Sequence, residues 1–426
     1  MSVMQTLQSF ESRNFRLFFS GQMLSMIGSF MTETTIAWLV YSLTNSVALL
    51  GLLGFISQFP HLIISPLAGV WIEKFNRRTI LITAQFIMMI VSLILAMLAL
   101  AGVISIWHII GSSILQGFIA SIETPTRYAF IIDIIKKKED ITNATALHSS
   151  LLSGSRIIAP AIAGIIIAHL SPGHCFLIDG ISYIAVIFAL LAIQLDKPII
   201  GQTNHQNNIW KDLKEGFIYA YDFLPIRSIL LLIALFSFMG MPYLRIMPVF
   251  AVEILHGDSS TLGFLTGASG LGALCGGIYL SYQRSAIGLE KIIAISSMGF
   301  AYAPVIFGIA LITFSLSNNF LFSLMTITVI GCGYILEYSS SNAVLQTISD
   351  DKKRGRIMSL YNMSVMGIIP FGNLFIGGLA SIISARFALM FGALCCIMGS
   401  IIFYKNLSAI EKLIRQIYMK NGIVME

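Results

Sequence analysis

Charge is scarce in this sequence: 11% of its 426 residues are Asp, Glu, Lys or Arg, against about 25% in an ordinary soluble domain. That complement cannot cover the surface of a water-soluble fold of this size, so a soluble globular protein is excluded. Cysteine is sparse too. The five present (Cys175, Cys275, Cys332, Cys395 and Cys396) have no Cys-x-x-Cys spacing, which argues against zinc and dithiol redox chemistry and leaves them as small core residues. There is no Gly-x-x-x-x-Gly-Lys-Ser/Thr loop, so ATP does not power anything within this chain. No Ser/His/Asp set or His-Glu-x-x-His pair occurs either. We therefore expect no enzyme, no metal and no cofactor.

What the sequence has instead is apolar length. Hydrophobic residues make up 56% of it, in long runs such as 80–100 and 181–195. Spans near 20 residues match a hydrocarbon core of roughly 30 Å when wound as helix. The strands of a membrane barrel would alternate in polarity, and these runs do not. Spans are predicted near 15–41, 47–72, 79–101, 106–132, 144–170, 175–195, 226–250, 261–283, 291–313, 320–346, 357–383 and 386–404. The sequence pI of about 9.0 invites a nucleic-acid partner, but the basic residues are placed otherwise. With the N-terminus in the cytoplasm, Arg13, Arg16, Lys74, Arg77, Arg78, Lys136 to Lys138, Lys197, Lys211, Lys214, Arg227 and the Lys352 to Arg356 cluster all fall on the inside, and the outside loops keep only Arg386. This is the positive-inside asymmetry of a multi-pass protein of the inner (cytoplasmic) membrane with both termini cytoplasmic. The first apolar segment is too long for a cleavable signal, contains Glu33 and is expected to stay as a span. The partners expected are the lipid bilayer and a small molecule, with no nucleic acid, and the chain is expected to be a monomer.

The longest polar stretch between spans, 196–227, divides the chain. We predict an N-terminal six-helix bundle at 1–195, a linker at 196–225, and a C-terminal six-helix bundle with a short tail at 226–426. Within the linker, Trp210, Leu213, Phe217 and Ala220 keep roughly helical spacing on one face, which suits an amphipathic helix on the membrane surface. The halves repeat weakly: Leu50-Gly51 matches Leu262-Gly263, Gly69 matches Gly277 and Pro160 matches Pro370, at a near-constant separation. Parallel halves with a site between them are a recurring transporter architecture.

Two motifs sharpen this. Gly69-Val-Trp-Ile-Glu-Lys-Phe-Asn-Arg-Arg78 joins the second and third spans. It resembles motif A of the major facilitator superfamily, G-x-L-x-D-R-x-G-R-[RK], with Gly69, Glu73, Lys74, Arg77 and Arg78 at the matching positions and Trp71 and Asn76 departing from it. The resemblance implies a cytoplasmic gate latch, in which Gly69 allows close helix approach and Glu73 faces the positive end of the eleventh span. In the fifth span, Gly154-Ser-Arg-Ile-Ile-Ala-Pro160-Ala-Ile-Ala-Gly164 resembles a worn antiporter motif C, G-P-x-x-G-G. Its small residues and proline suit a bend and a tight helix contact.

Phe15-Arg-Leu-Phe-Phe-Ser-Gly21, Pro125-Thr-Arg-Tyr-Ala-Phe130, Met241-Pro-Tyr243 with Met247-Pro-Val-Phe-Ala251, and Arg354-Gly-Arg-Ile-Met-Ser-Leu-Tyr361 extend the likeness over nearly the whole chain. They resemble the drug:proton antiporter branch that holds the enterobactin exporter and macrolide-efflux proteins. The resemblance implies an all-α integral membrane protein of the major facilitator fold, with twelve transmembrane helices in two pseudo-symmetric halves. It also implies proton-coupled efflux of a small amphipathic compound: a drug, a siderophore or another secreted metabolite. An importer or lysophospholipid flippase of the same fold, and a non-transporting membrane sensor or scaffold, remain as alternatives.

A charged residue at mid-bilayer is roughly 2.5–3.5 kcal/mol unfavourable on insertion scales, so each one needs a reason. Glu33, Arg245 and Glu337 lie in the first, seventh and tenth spans, three of the four that line the central cavity in the superfamily. A carboxyl in such a cavity can load and lose a proton, which makes Glu33 the first proton-coupling candidate and Glu337 the second. Glu33 alternatively accepts hydrogen bonds from its neighbours or from a substrate amine. Arg156 in the fifth span is expected to partner an acid, Glu33 or Asp179, and Asp179 itself is expected to be structural. Glu123 and Arg127, four apart around Pro125, suit an intrahelical or gate ion pair.

Overall fold

In lipid a backbone must satisfy its own N–H and C=O groups, and a helix does so within one segment. The computed structural model describes residues 8–135, 140–194, 209–286, 289–350, 353–407, 410 and 412–413, with side chains placed outside 8, 65–71, 73–74, 209–214, 281–286 and 289–301. Among the described residues there is helix and no strand. The long elements are α1 (Arg13–Thr44), α2 (Val47–Lys74), α3 (Arg77–Leu100), α4 (Ile106–Ile134), α5 (Ile141–His169) and α6 (Pro172–Ala192). They continue as α7 (Ile209–Asp222), α8 (Leu224–Met239), α9 (Ser259–Ala286), α10 (Leu289–Leu316), α11 (Phe320–Ile348), α12 (Arg354–Asn362), α13 (Ile369–Ile383) and α14 (Ala385–Lys405). Among the described residues ten stretches are long and apolar enough to cross a membrane, and Tyr302–Leu316 is a shorter apolar one. The predicted span outside both sets is α4, which is equally long but carries Ser112, Ser113, Gln116 and Glu123.

Local chemistry sets the boundaries. Ser12 caps α1 by accepting from the Phe15 N–H at 3.4 Å. Asn45 ends the helix in the left-handed region at φ 49°. Asn76 starts α3, its Oδ1 accepting from the N–H groups of Arg78 at 2.9 Å and Thr79 at 3.4 Å. That explains why this chain has Asn76 where the superfamily motif has glycine: the position is a helix cap with φ −65°, and it does not need glycine's freedom.

The chain forms two compact units: Met1–Asn204 with Phe250–Gly267, and His205–Val249 with Ala268–Glu426. In the first, α1 packs on α5 and α6, α3 on α4 and α6, and α2 on α4. Lipid tails are as apolar as leucine, so close backbone approach does much of the work of association. Gly21 is where α1 meets Ala189, an added Cβ lying 3.0 Å from that methyl. At Gly117 the same atom would lie 2.5 Å from the Ser57 carbonyl, so α4 and α2 meet backbone to backbone. Phe15, Phe18, Leu81, Phe130, Val186 and Leu190 fill the space at one end of this unit.

In the second unit α10 packs on α11 and α14, α8 on α13 and α14, and α7 on α12. Two predicted spans prove to be interrupted. The seventh runs as α8 to Met239, then as a 3-10 turn (Met241–Leu244) and a π turn (Phe250–Ile254), because Pro242 and Pro248 each remove a backbone donor. The eleventh is α12 and α13 joined by a π segment (Met363–Gly367) ahead of Pro370.

The linker helix exists as α7, but its predicted apolar face is divided. Ala220 is buried with Ile226, Ile357 and Tyr361, whereas Phe217 is 65% exposed. Trp210 and Leu213 lie outside the residues with described side chains. Gly216 brings α7 against Arg356, and Lys353 Nζ sits 4.2 Å from the centre of the Tyr219 ring. An Arg356–Glu215 ion pair at 2.7 Å completes the contact with both groups partly exposed. Such pairs contribute about 0.2–1 kcal/mol. Glu215→Ala is therefore expected to shift thermal unfolding of the detergent-purified protein only slightly, and a loss of several kcal/mol would mean that the ion pair carries the docking of α7.

Candidate functional site: a polar cleft in the first unit

The turn Glu123-Thr-Pro125-Thr-Arg127 of α4 places an acid and a base one helical turn apart on the same face. Arg127 Nη2 lies 2.9 Å from Glu123 Oε2, and the two side chains are only 15% and 9% exposed. Gln85 of α3 donates its Nε2 to Glu123 Oε1 at 3.2 Å, and Arg127 Nη1 donates to Gln22 Oε1 of α1 at 3.4 Å. This four-residue network forms one wall of a cleft of about 160 Å³. Ser25, Ser29, Thr124 and Tyr183 add hydroxyls, and Met26, Phe30, Met88, Ile119 and Leu152 add apolar surface. Gln22 Nε2, Arg127 Nε and Gln85 Oε1 are buried without a hydrogen-bond partner. The lining thus combines an ion pair, amides and hydroxyls with apolar side chains, which suits a ligand that carries polar groups on an apolar frame.

Asp179 of α6 lies beside this cleft, 1% exposed. Its Oδ2 accepts from Thr32 Oγ1 of α1 and from Ser92 Oγ of α3, both at 2.8 Å. Arg156 is not its partner, contrary to one of the two expectations for that residue. It is exposed, with its guanidinium 5.5 Å from the centre of the Phe30 ring. A cation on an aromatic face needs no buried carboxylate. Glu33 is exposed on α1, while its neighbour Thr34 is buried and donates to the Phe30 carbonyl at 3.0 Å.

In the second unit Glu337 is fully buried; Ser341 Oγ donates to its Oε1 at 3.3 Å, and Oε2 has no partner. Arg245 is half-buried and follows the Met241–Leu244 turn, its N–H donating to the Pro242 carbonyl at 2.9 Å. It sits at the break in the seventh span rather than inside a continuous helix.

Of the motif between the second and third spans, Arg77 pairs with Asp133 of α4 at 2.7 Å, a partner the sequence did not suggest. Arg78 Nη2 donates to the Leu191 carbonyl at 2.5 Å. Gly69 lies in α2, and the Glu73 and Lys74 side chains lie outside the described residues. In α5 the antiporter-like residues part company. Pro160 and Gly164 touch the backbone of Gly263 and Ser259, with Ser259 Oγ donating to the Gly164 carbonyl at 2.9 Å. Gly154 has open space where a Cβ would stand, so the tight contact predicted for it is absent.

Sequence reasoning missed Gln22, Gln85, Ser29 and Tyr183. Two glutamines inside otherwise apolar spans were the available signal, since an uncharged amide in a membrane helix also needs a partner. Among the described residues no group of three or more His, Cys, Asp or Glu side chains is placed to hold a metal.

Comparison with known proteins places this arrangement. Over 392 residues the chain is 26% identical to the staphyloferrin A transporter of Staphylococcus aureus (strain NCTC 8325 / PS 47), covering 91% of this chain and 95% of that one. It is 21% identical to macrolide efflux protein A of Streptococcus pyogenes over 274 residues, 63% of this chain and 67% of that one. A bacterial homologue of the iron transporter ferroportin, solved in an inward-facing state, shares the fold with a TM-score of 0.70 at 16% identity, covering 93% of this chain and 99% of that one. The transmembrane secretion effector family matches residues 4–417. A multi-pass helical chain with a polar cleft walled by membrane helices is thus a transporter rather than an enzyme, and it belongs to the transmembrane secretion effector family of the major facilitator superfamily.

Proposed function

We propose that this chain exports a small amphipathic compound across the cytoplasmic membrane by proton-coupled antiport and alternating access. The observation that carries the reading is the cleft around Glu123 and Arg127, where an ion pair, the Gln22 and Gln85 amides and four hydroxyls stand beside apolar side chains. Likeness to a siderophore transporter and a macrolide efflux protein supports the cargo class. In this reading residues 1–195 and 226–426 are the two six-helix halves, 196–225 links them on the cytoplasmic side, and both termini are cytoplasmic. The Gly69 to Arg78 loop, with Glu73 and Lys74, latches the cytoplasmic gate, and Arg77 is anchored by Asp133. The contact of Pro160 and Gly164 with Gly263 seals against leak. Glu33 and Glu337 are the acids proposed to draw on the proton gradient, with Arg245 as a cavity cation.

The test is a comparison of culture-medium metabolites between a deletion strain and its parent. A compound present outside the parent and retained inside the deletion strain is the expected result, and identical profiles for siderophores, macrolides and other secreted metabolites would sink efflux. For the coupling acid, Glu33→Gln is expected to abolish transport driven by a pH gradient in proteoliposomes at unchanged protein level. Undiminished gradient-driven transport would remove Glu33 from the mechanism.

A further inference from the structure

We propose that Asp179 is a further proton-binding site, exchanging its proton with the polar cleft through Tyr183 and Ser29. The inference deepens the proton-coupled reading above and rests on it for the use made of the proton. The binding site itself rests on geometry. Asp179 is a carboxyl group inside a helix bundle, 1% exposed, and among the described residues hydroxyls rather than a cation stand against it. Its surroundings are hydroxyls: Thr32 and Ser92 bond to Oδ2, while Ser29 and Tyr183 stand beside the same group. Oδ1 has no hydrogen-bond partner. It faces the backbone of Gly28, where an added Cβ would lie 2.7 Å from it.

The nature of those partners separates Asp179 from the acid nearest the cleft. Glu123 is held by Arg127 and by the Gln85 amide N–H, groups that only donate, so its contacts suit the ionised form alone. A hydroxyl both donates and accepts. The Thr32 and Ser92 protons can point at a carboxylate or turn away from a carboxylic acid without leaving a fixed donor stranded. A lone ionised carboxylate out of water is strongly disfavoured, and a buried group without a cation resolves this by taking a proton. Asp179 is therefore built to hold a proton and, with modest rearrangement, to release it.

A route to the cleft is present. The Ser29 and Tyr183 hydroxyls are 3.1 Å apart, and both line the cleft as well as flanking Asp179. One helical turn from Asp179 along α6, Cys175 packs with Met31, Ala159 and Ala163 as an apolar cluster. The proton thus comes and goes by way of the cleft: a carboxylate oxygen takes it up to give the neutral acid, and the same oxygen returns it. The charged and titratable groups on the packed elements are few. On α1 Glu33 is exposed next to Thr32; on α3 the charges, Arg77 and Arg78, stand at the far end of the helix from Ser92; on α5 Arg156 lies over Phe30. On α4 the Glu123–Arg127 pair is already neutral as a unit. On α6 itself there are Tyr183, Cys175 and His174, the last joined to Ser171.

Infrared difference spectroscopy of the reconstituted protein, titrated from acid to alkaline buffer without any cargo, reads this site directly. Wild type is expected to lose a protonated-carboxyl band on alkalinisation. Asp179→Asn should lack that component, and Asp179→Glu should retain a shifted one. If Asp179→Asn leaves every titrating carboxyl band in place, the proposal is overturned. A band that responds to sodium at constant pH also overturns it, by making the hydroxyl cage a sodium site. Tyr183→Phe, which keeps the ring, is expected to slow exchange of the band into heavy water, and unchanged exchange would overturn the route. In proteoliposomes loaded with a radiolabelled macrolide, Asp179→Asn should lose stimulation by an imposed pH gradient. A protein that moves no macrolide but shows the infrared component would fail as a macrolide exporter and still have the proton site.

Discussion

Arg127→Ala is expected to lower the stability of the detergent-purified protein by about 3–5 kcal/mol and to abolish transport, because it leaves the Glu123 carboxylate buried without its cation. Deleting one member of a buried pair costs far more than replacing both, since the survivor keeps its desolvation penalty. The double variant Glu123→Gln/Arg127→Gln should therefore recover much of the lost stability while remaining inactive. Thermal unfolding followed by tryptophan fluorescence separates the two effects. Gln22 and Gln85, which complete the network from α1 and α3, predict the direction for single substitutions there as well: loss of Gln85 removes a donor from Glu123 and loss of Gln22 removes an acceptor from Arg127, so cargo affinity should fall before stability does. An Arg127→Ala protein with wild-type unfolding would mean that Glu123 is not held as an ion in the cleft.

The second large effect is expected where α5 meets the start of α9. A methyl added at Gly164 would overlap the Ser259 carbonyl, and one added at Gly263 would overlap the Pro160 carbonyl. Neither obstacle is a side chain that can rotate away, so the helices must separate. Overpacking of this kind is destabilising by about 1–3 kcal/mol, occasionally more. Separation also breaks the Ser259 bond to the Gly164 carbonyl. Gly164→Val and Gly263→Val should both lose transport and raise proton leak into empty proteoliposomes. Gly154→Ala provides the contrast within the same motif. It meets open space and gains helix propensity, so it should be neutral or stabilising by up to about 1 kcal/mol. Equal losses at Gly154 and Gly164 would remove the helix contact as the reason for the motif.

These two sites show which features could be read along the chain. Membrane helices are legible because each satisfies its own backbone and must match the bilayer in length, so the apolar runs and their flanking charges were enough to place α1, α3, α6 and α14. The ion pair of Glu123 and Arg127 was legible for the same reason: four residues along one helix is a local distance. The breaks at Pro242 and Pro248 were also written locally, though the span was read through them.

Partners drawn from different helices were not legible. Asp133 reaches Arg77, Gln22 and Gln85 reach the α4 pair, and Thr32 and Ser92 reach Asp179, each across a large separation in sequence. Helical period tells which face a residue occupies and leaves open which neighbour that face meets. Close approach at Gly21, Gly28, Gly117 and Gly164 selects the neighbours, because a missing Cβ matters only where a second backbone arrives. The amino-acid order thus settled that this chain crosses a membrane and which superfamily it resembles. Packing of one helix on another settled that Arg156 lies on Phe30, that Asp179 sits among hydroxyls, and that the cleft exists at all.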